Sequence, residues 1–259
     1  MTSADGSVTW KRHGTAAIIT VDRPAARNAM TWGMYEQLVA ALDAIEADRG
    51  LRVAVLRGAG GGFVAGTDIA QFTDFTSGDD GIAYERRLDS VLASLEELPI
   101  PTIAVVEGAA MGGGLMLAAT CDLRICTTDA RFGMPIARTV GNCLSMANYA
   151  RLLMHLGPSR LMQLVATAES MPAAEALARG FVLEVAEPSA LEDRLGKRCE
   201  QLATMAPVTL RVTREAIRRV VRAVTAEGDD LLRLAYGSRD FREGVAAFVA
   251  RRAPQWEGR

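Results

Sequence analysis

Pro101 to Ala118 is the stretch that leaves this chain the fewest choices. Thr102 to Val106 is apolar and β-branched, and it is entered from a Pro-x-Pro corner at Pro99 and Pro101, which predicts a short buried strand. Leu115 to Ala119 predicts the start of a helix. Between them stand Gly112, Gly113 and Gly114, which let backbone approach backbone, or a ligand, with no Cβ in the way. A strand–glycine–helix junction leaves amides at the helix N-terminus without intrahelical acceptors. Such amides can hold an oxyanion, and the same glycines also suit a tight turn packed against a neighbouring helix.

A second junction follows the predicted strand Val53 to Arg57. It runs from Gly58 through Gly60, Gly61, Gly62 and Gly66 to Thr67, Asp68 and Ile69. Strands alternating with helices up to about Val185, followed by helices alone from Pro188, predict an α/β core with a helical C-terminal part. The division is at residues 1–187 and 188–259. Smaller expectations are a strand pair about His13 and Gly14, a helix from Thr31 to Asp48, and a mobile connection from Phe72 to Gly81 before a helix at Ile82–Leu98. A helix at Leu144–Leu156 closes at Gly157, where Pro158 opens the next. Ser170 is expected to cap a short helix ending at Gly180, Asn142 to cap the helix beginning near it, and Asp68 to make an Asx-type or capping contact.

The two turns, together with Cys121 to Cys126, the Arg23-Pro-Ala-Ala-Arg-Asn-Ala segment and the Arg242 to Trp256 segment, occur in an order that resembles the crotonase superfamily, the enoyl-CoA hydratase/isomerase family. The resemblance covers nearly the whole chain. It implies an α/β spiral of ββα units, a helical C-terminal region that forms trimers or hexamers, and an acyl-CoA thioester as substrate. It also implies an oxyanion hole made of the backbone amides of Thr67 and Gly113. CoA contacts are carried over onto Ala25, Arg27 and Ala29 and onto Ala65, Gly66, Asp68 and Ile69, with Arg27 near the phosphates. Phe248, Arg251 and Arg252 on the last helix match positions that touch CoA bound to a neighbouring subunit.

One departure from the family changes the expected chemistry. Family hydratases carry one glutamate two residues after the glycine triplet and another after a Phe-Gly-x-Pro segment. Here Met116 and Ile136 stand at those positions, and neither side chain moves a proton. The expectation is therefore enolate stabilisation in an isomerase-like or lyase-like enzyme that is an inefficient 2-enoyl-CoA hydratase. The alternative is an acyl-CoA-binding protein with little catalysis, since Met116, Met134, Ile136 and Leu144 suit an apolar acyl pocket beside Gly112. Asn142 and Cys143 fall where relatives of different chemistry place catalytic side chains. Asp74, Tyr84, Glu85 and Glu107 are the remaining acids and phenols near the expected pocket.

Composition narrows the rest. The 259 residues are 49% hydrophobic with net charge −2, basic and acidic residues mixed, which gives no nucleic-acid surface. No apolar run reaches the ~18 residues of a membrane span. The segment Met1 to Gly6 lacks the pattern of a signal peptide, so a cytoplasmic location is expected. Four cysteines without CxxC spacing and two distant histidines, His13 and His155, suggest reduced thiols and no metal site. No cofactor is expected beyond the CoA of the substrate.

Overall fold

The computed structural model describes residues 6–259; of the segment read for a signal peptide, Met1 to Asp5 lie outside them. Strands β1 (Ser7–His13) and β2 (Ala16–Asp22) form a hairpin about Gly14. Helix α1 (Trp32–Ala47) is capped by Thr31, whose hydroxyl accepts from the Met34 amide, as the sequence predicts. β3 (Val53–Gly58), α2 (Gly78–Glu97), β4 (Thr102–Val106), β5 (Ala109–Met111) and α3 (Gly113–Thr120) carry both glycine turns. Then come β6 (Leu123–Thr127), β7 (Arg131–Gly133), α4 (Ile136–Thr139), α5 (Met146–Ala166), β8 (Met171–Pro172), α6 (Ala173–Ala178) and β9 (Glu184–Ala186). Four helices finish the chain: α7 (Leu191–Ala203), α8 (Pro207–Ala223), α9 (Asp229–Tyr236) and α10 (Arg239–Val249).

The larger sheet has the order β1-β2-β3-β4-β6-β9 and is parallel from β2 onward. β4 is buried at every residue, which is why it reads as an unbroken apolar run rather than an alternating one. A smaller sheet, β5-β7-β8, lies beside it. The chain steps from one sheet to the other, β4 to β5 and then β6 to β7, before each returning helix. An isolated bridge between Val64 and Ala110 adds the first glycine turn to the smaller sheet. These repeated steps are the ββα spiral.

Several local expectations need correction. Helix α2 starts at Gly78, four residues earlier than expected, because Ser77 and Asp80 form a capping box. Gly78 and Gly81, which fall in the segment read as a mobile connection, are contact points. A Cβ at Gly78 would press on Arg233, and one at Gly81 would run into the ring of Tyr236, so α9 lies directly against α2. Ser145, not Asn142, caps α5 by accepting from the Asn148 amide, and Ser170 caps nothing, since Pro172 precedes α6. Gly157 does interrupt α5, at φ 70° and ψ 165°. No helix among the described residues is long and apolar enough to cross a membrane.

Candidate active site

The first glycine turn leaves β3 of the larger sheet and the second leaves β5, the short strand of the smaller sheet that β4 feeds, and the Val64–Ala110 bridge brings the two together. They touch. The Met111 amide donates to the Val64 carbonyl at 3.2 Å, and a Cβ on Gly114 would collide with that same carbonyl. Gly66, at φ 121°, presents its open side to the Met111 carbonyl. A Cβ on Gly113 would stand 3.5 Å from the Thr67 nitrogen and 3.0 Å from the Thr67 Oγ1. Glycine is therefore required at Gly114, where the turns pack, while Gly113 is tight only against side-chain hydroxyls.

Two donors are left over at this junction. Among the described residues, neither the Thr67 amide nor the Gly113 amide has a hydrogen-bond acceptor, while their neighbours Asp68 and Gly112 donate to Met30 and Gly133. Both residues are partly exposed. Idle donors at the start of a helix favour negative charge on a group that docks there.

The Arg23 to Ala29 segment is stitched to the first turn. Ala65 donates to the Arg27 carbonyl at 3.1 Å, and Met30 donates to the Gly66 carbonyl at 2.8 Å. The Asn28 side chain bridges Ala59 and Gly62, and Arg23 pairs with Asp68 at 2.8 Å. The backbones of residues 27–30 and 65–68 are thus joined; of the sequence-predicted residues here Ala25 and Arg27 are exposed, Ala29, Ala65, Asp68 and Ile69 are partly exposed, and Gly66 is buried. Arg27 is exposed in the left-handed region at φ 52°. Asp68 also accepts from Ala70, the capping contact expected of it.

Behind Thr67 lies a chain of hydroxyls. Its Oγ1 is 2.9 Å from the Tyr35 hydroxyl and 3.1 Å from the Tyr84 hydroxyl. Burial raises the Tyr35 phenol to about 12 and Tyr84 well above its usual range, so both stay protonated. The Tyr84 ring joins Trp32, Phe72, Phe75 and Tyr236 in edge and tilted contacts with centroids 4.8–6.1 Å apart. Met116 and Met134 are fully buried, and Ile136 and Leu144 nearly so. The Gly112 amide donates to Gly133, which sets the strand leading to Met134 and Ile136 against the second turn.

A polar cluster stands at the far side of the aromatic group. The Tyr236 hydroxyl donates to Glu85 Oε1 at 2.5 Å and accepts from Asn142 Nδ2 at 3.1 Å. Glu85 Oε2 accepts from the Ser145 amide. Burial raises the Glu85 carboxyl to about 7. Asn142 Oδ1 is buried with no partner. Asn142 and Cys143 line a cleft of 660 Å³ with Tyr149, Leu231, Leu234 and Trp256. Burial pushes the Cys143 thiol up to about 12, which opposes a thiolate nucleophile there. A smaller cleft lined by Leu51, Pro99 and Ile100 lies at the opposite, amino edge of the sheet.

Other positions separate from this centre. Glu107 is tied to Arg57 at 3.1 Å, and Asp74 is exposed. Phe248 is 48% exposed near the end of α10, and Arg251 lies just beyond it, while Arg252 pairs with Glu243. It is Phe241, earlier on α10, that packs on Phe72 and Phe75 of the same chain. Sequence reasoning missed Tyr35 and Tyr236, which read as ordinary apolar-face aromatics. The one available signal was Glu85, a lone acid on the buried face of α2.

A mixed α/β spiral with apposed glycine turns and a helical C-terminal part defines a class of proteins. Residues 11–259 match the family model described as enoyl-CoA hydratase/isomerase, and the chain belongs to that family within the crotonase superfamily. A probable enoyl-CoA hydratase of Rhizobium meliloti is 34% identical, covering 95% of this chain and 96% of that one. One from Bacillus subtilis is 32% identical, covering 93% and 95%. Methylmalonyl-CoA decarboxylase in complex with 2-nitronate-propionyl-CoA superposes with TM-score 0.89 at 26% identity, covering 97% of this chain and 98% of that one. An enoyl-CoA hydratase/carnithine racemase from Magnetospirillum magneticum gives 0.79 at 29% identity, covering 100% and 99%.

Proposed function

We propose that this protein binds an acyl-CoA thioester and stabilises its enolate with the amides of Thr67 and Gly113. The observation that carries this reading is the pair of acceptor-free amides on two touching turns. Enolisation moves negative charge onto the thioester oxygen, and one preorganised donor is worth ~10²–10³ in rate. The methylmalonyl-CoA decarboxylase structure with its CoA ligand supports the substrate class. CoA lies along Ala25, Arg27, Ala29 and Ala65 to Ile69, with Arg27 on the phosphates. CoA is part of the substrate, and the reaction uses no other cofactor.

With Met116 and Ile136 at the expected glutamate positions, two-carboxylate hydration of a 2-enoyl-CoA is inefficient, and the reaction class is isomerase-like or lyase-like. Burial of Met116, Met134 and Ile136 favours a second reading, an acyl-CoA-binding protein with little turnover. Residues 188–259 serve as the oligomerisation region of a homotrimer or homohexamer.

Calorimetry with propionyl-CoA tests the binding reading. The wild-type protein should bind it, and Arg27→Ala should weaken binding by up to ~10²-fold, the range of an exposed charge-assisted phosphate contact. No binding by the wild-type protein overturns the reading; unchanged affinity in Arg27→Ala removes this residue from the CoA surface.

A further inference from the structure

Resting on the enolate reading above, we propose that the Thr67 hydroxyl is a third donor to the enolate oxygen, kept as one by the phenols of Tyr35 and Tyr84. Thr67 Oγ1 lies 2.9 Å from the Tyr35 hydroxyl and 3.1 Å from the Tyr84 hydroxyl. Three hydroxyl protons therefore meet, and only two hydrogen bonds join the three oxygens. Whichever way those bonds point, one proton is left over. Among the described residues, no other group accepts from these hydroxyls.

Burial decides which proton it is. Tyr35 is 1% exposed and Tyr84 7%, while Thr67 is partly exposed. A buried phenol with no acceptor carries the full desolvation cost of its O–H. Thr67 Oγ1 is the acceptor within reach of both phenols, and a hydroxyl oxygen offers two lone pairs. Both phenols therefore donate to it. If Thr67 donated to either phenol instead, that phenol's own proton would be stranded in the core. With both lone pairs of Oγ1 filled, the Thr67 O–H can only donate. Burial raises Tyr35 to about 12 and Tyr84 well above its usual range, so both phenols keep the protons that enforce this.

The leftover proton lies at the amide pair. A Cβ on Gly113 would stand 3.0 Å from Thr67 Oγ1 and 3.5 Å from the Thr67 nitrogen, so the hydroxyl borders the open side of Gly113. Its surroundings are fixed. A bridge to Met30 holds the Thr67 backbone, and Trp32 packs against the rings of both Tyr35 and Tyr84. The hydroxyl is thus set in place before any ligand arrives.

Three donors suit an enolate better than a thioester. A carbonyl oxygen has two lone pairs, which the two amides fill. Enolisation gives that oxygen a third lone pair and negative charge, and the Thr67 hydroxyl meets the change. A donor used mainly after charge develops raises the rate with little effect on substrate binding. The hydroxyl donates a hydrogen bond and transfers no proton. Tyr35 and Tyr84 are positioning residues that act through Thr67.

Exchange of the α-protons of propionyl-CoA in D2O, followed by proton NMR, tests this, with calorimetry and thermal melting on the same samples. Thr67→Val keeps the branched shape and the amide but removes the hydroxyl. It should bind propionyl-CoA within about threefold of wild type and exchange at least about tenfold more slowly, the range of a hydrogen bond to a charged group. Thr67→Ser, which loses the methyl group and keeps the donor, should exchange near the wild-type rate. Tyr35→Phe with Tyr84→Phe should bind normally and exchange at an intermediate rate. Because Thr67→Val leaves two phenols without an acceptor, adding Tyr35→Phe and Tyr84→Phe to it removes the network whole and should fold even where Thr67→Val does not. This triple variant should exchange as slowly as Thr67→Val. Wild-type exchange in Thr67→Val or in the triple variant, or slow exchange in Thr67→Ser, overturns this proposal and leaves the enolate reading standing. A wild-type protein that binds propionyl-CoA and exchanges nothing overturns both.

Discussion

The Thr67 nitrogen lies 3.5 Å from the point where a Cβ on Gly113 would stand, although the two residues are 46 positions apart in the chain (113 − 67 = 46). Strand β4 lies beside β3 and leads directly into β5, and β5 meets the first turn through the Val64–Ala110 bridge, which brings the turns carrying Thr67 and Gly113 together. Two idle amides are then held by separate elements, each fixed by its own strand. Neither needs to move when charge appears between them.

Gly113→Ala should fold, because its Cβ is tight only against two side-chain hydroxyls, Thr67 Oγ1 and Tyr35 Oη at 3.0 Å, and makes an ordinary contact with the Thr67 nitrogen at 3.5 Å. Those hydroxyls must give way by a few tenths of an ångström and will carry Thr67 with them. A misplacement of ~1 Å can cost ~10² in rate, so a shift of a few tenths of an ångström is expected to cost less. The expected result is a melting temperature close to wild type with propionyl-CoA α-proton exchange slowed at least about tenfold. Exchange at the wild-type rate would mean that Thr67 and Gly113 do not act together.

The larger features were legible because their physics is local. Thr102 to Val106 reads as buried strand from its own residues, and Thr31 sits one residue before α1 as its cap. The stitched loop at Arg27 and Asn28 was legible only through resemblance, since Asn28 reaches residues 31 and 34 positions away. The Tyr236–Glu85 contact spans 151 positions, and no local pattern encodes it. The start of α2 at Gly78, inside the segment expected to be a mobile connection, was hidden for a related reason: Gly78 and Gly81 are contact points there. Their value lies in what α9 brings against them, and α9 is invisible from within α2.

Glu85 makes stability depend on pH in a direction opposite to the usual carboxylate. Its folded value, about 7, lies above the ordinary 4.5, so folding favours the protonated form. That contribution is fully present below pH 4.5 and is lost as pH rises through about 7. Its full size is on the order of 3 kcal/mol. Glu85→Gln removes the titration, so the variant should gain stability relative to wild type between pH 5 and 8. Chemical denaturation of both proteins at each pH measures the difference. A difference that stays constant with pH would show that Glu85 titrates as it does in water.

Helix α8 carries Val208, Val212, Ile217 and Val220 at 53–62% exposure, while Arg214 on the same helix is buried against Asp122. So many exposed aliphatic side chains on one helix mark a surface that associates. The expected assembly is a homotrimer or a hexamer of two trimers. Val212→Glu with Val220→Glu should reduce its mass in light scattering without lowering helix content. A wild-type protein that stays monomeric at micromolar concentration would refute the expectation.

Crotonyl-CoA should bind and be hydrated very slowly. Hydration requires one proton removed from water and one delivered to the α-carbon. At the positions where the family resemblance places two glutamates, Met116 is fully buried and Ile136 is 8% exposed. The Thr67 and Gly113 amides lower the cost of the enolate but supply no proton. Among the nearby acids of α2, Glu85 is buried and bound by Tyr236 and Ser145, and Asp89 and Glu96 are engaged by Ser145, Asn148 and Arg151. Losing one general acid–base group typically costs 10²–10⁴, so a deficit of at least ~10³ against a two-glutamate hydratase is expected. Adding Glu at Met116 should not restore the rate, because a lone carboxyl in that apolar setting stays protonated. The decisive measurement is the loss of crotonyl-CoA absorbance with purified protein, alongside calorimetric binding. Turnover within the ordinary range of ~1–10³ per second would require an acid–base pair elsewhere in the site and would end this reading.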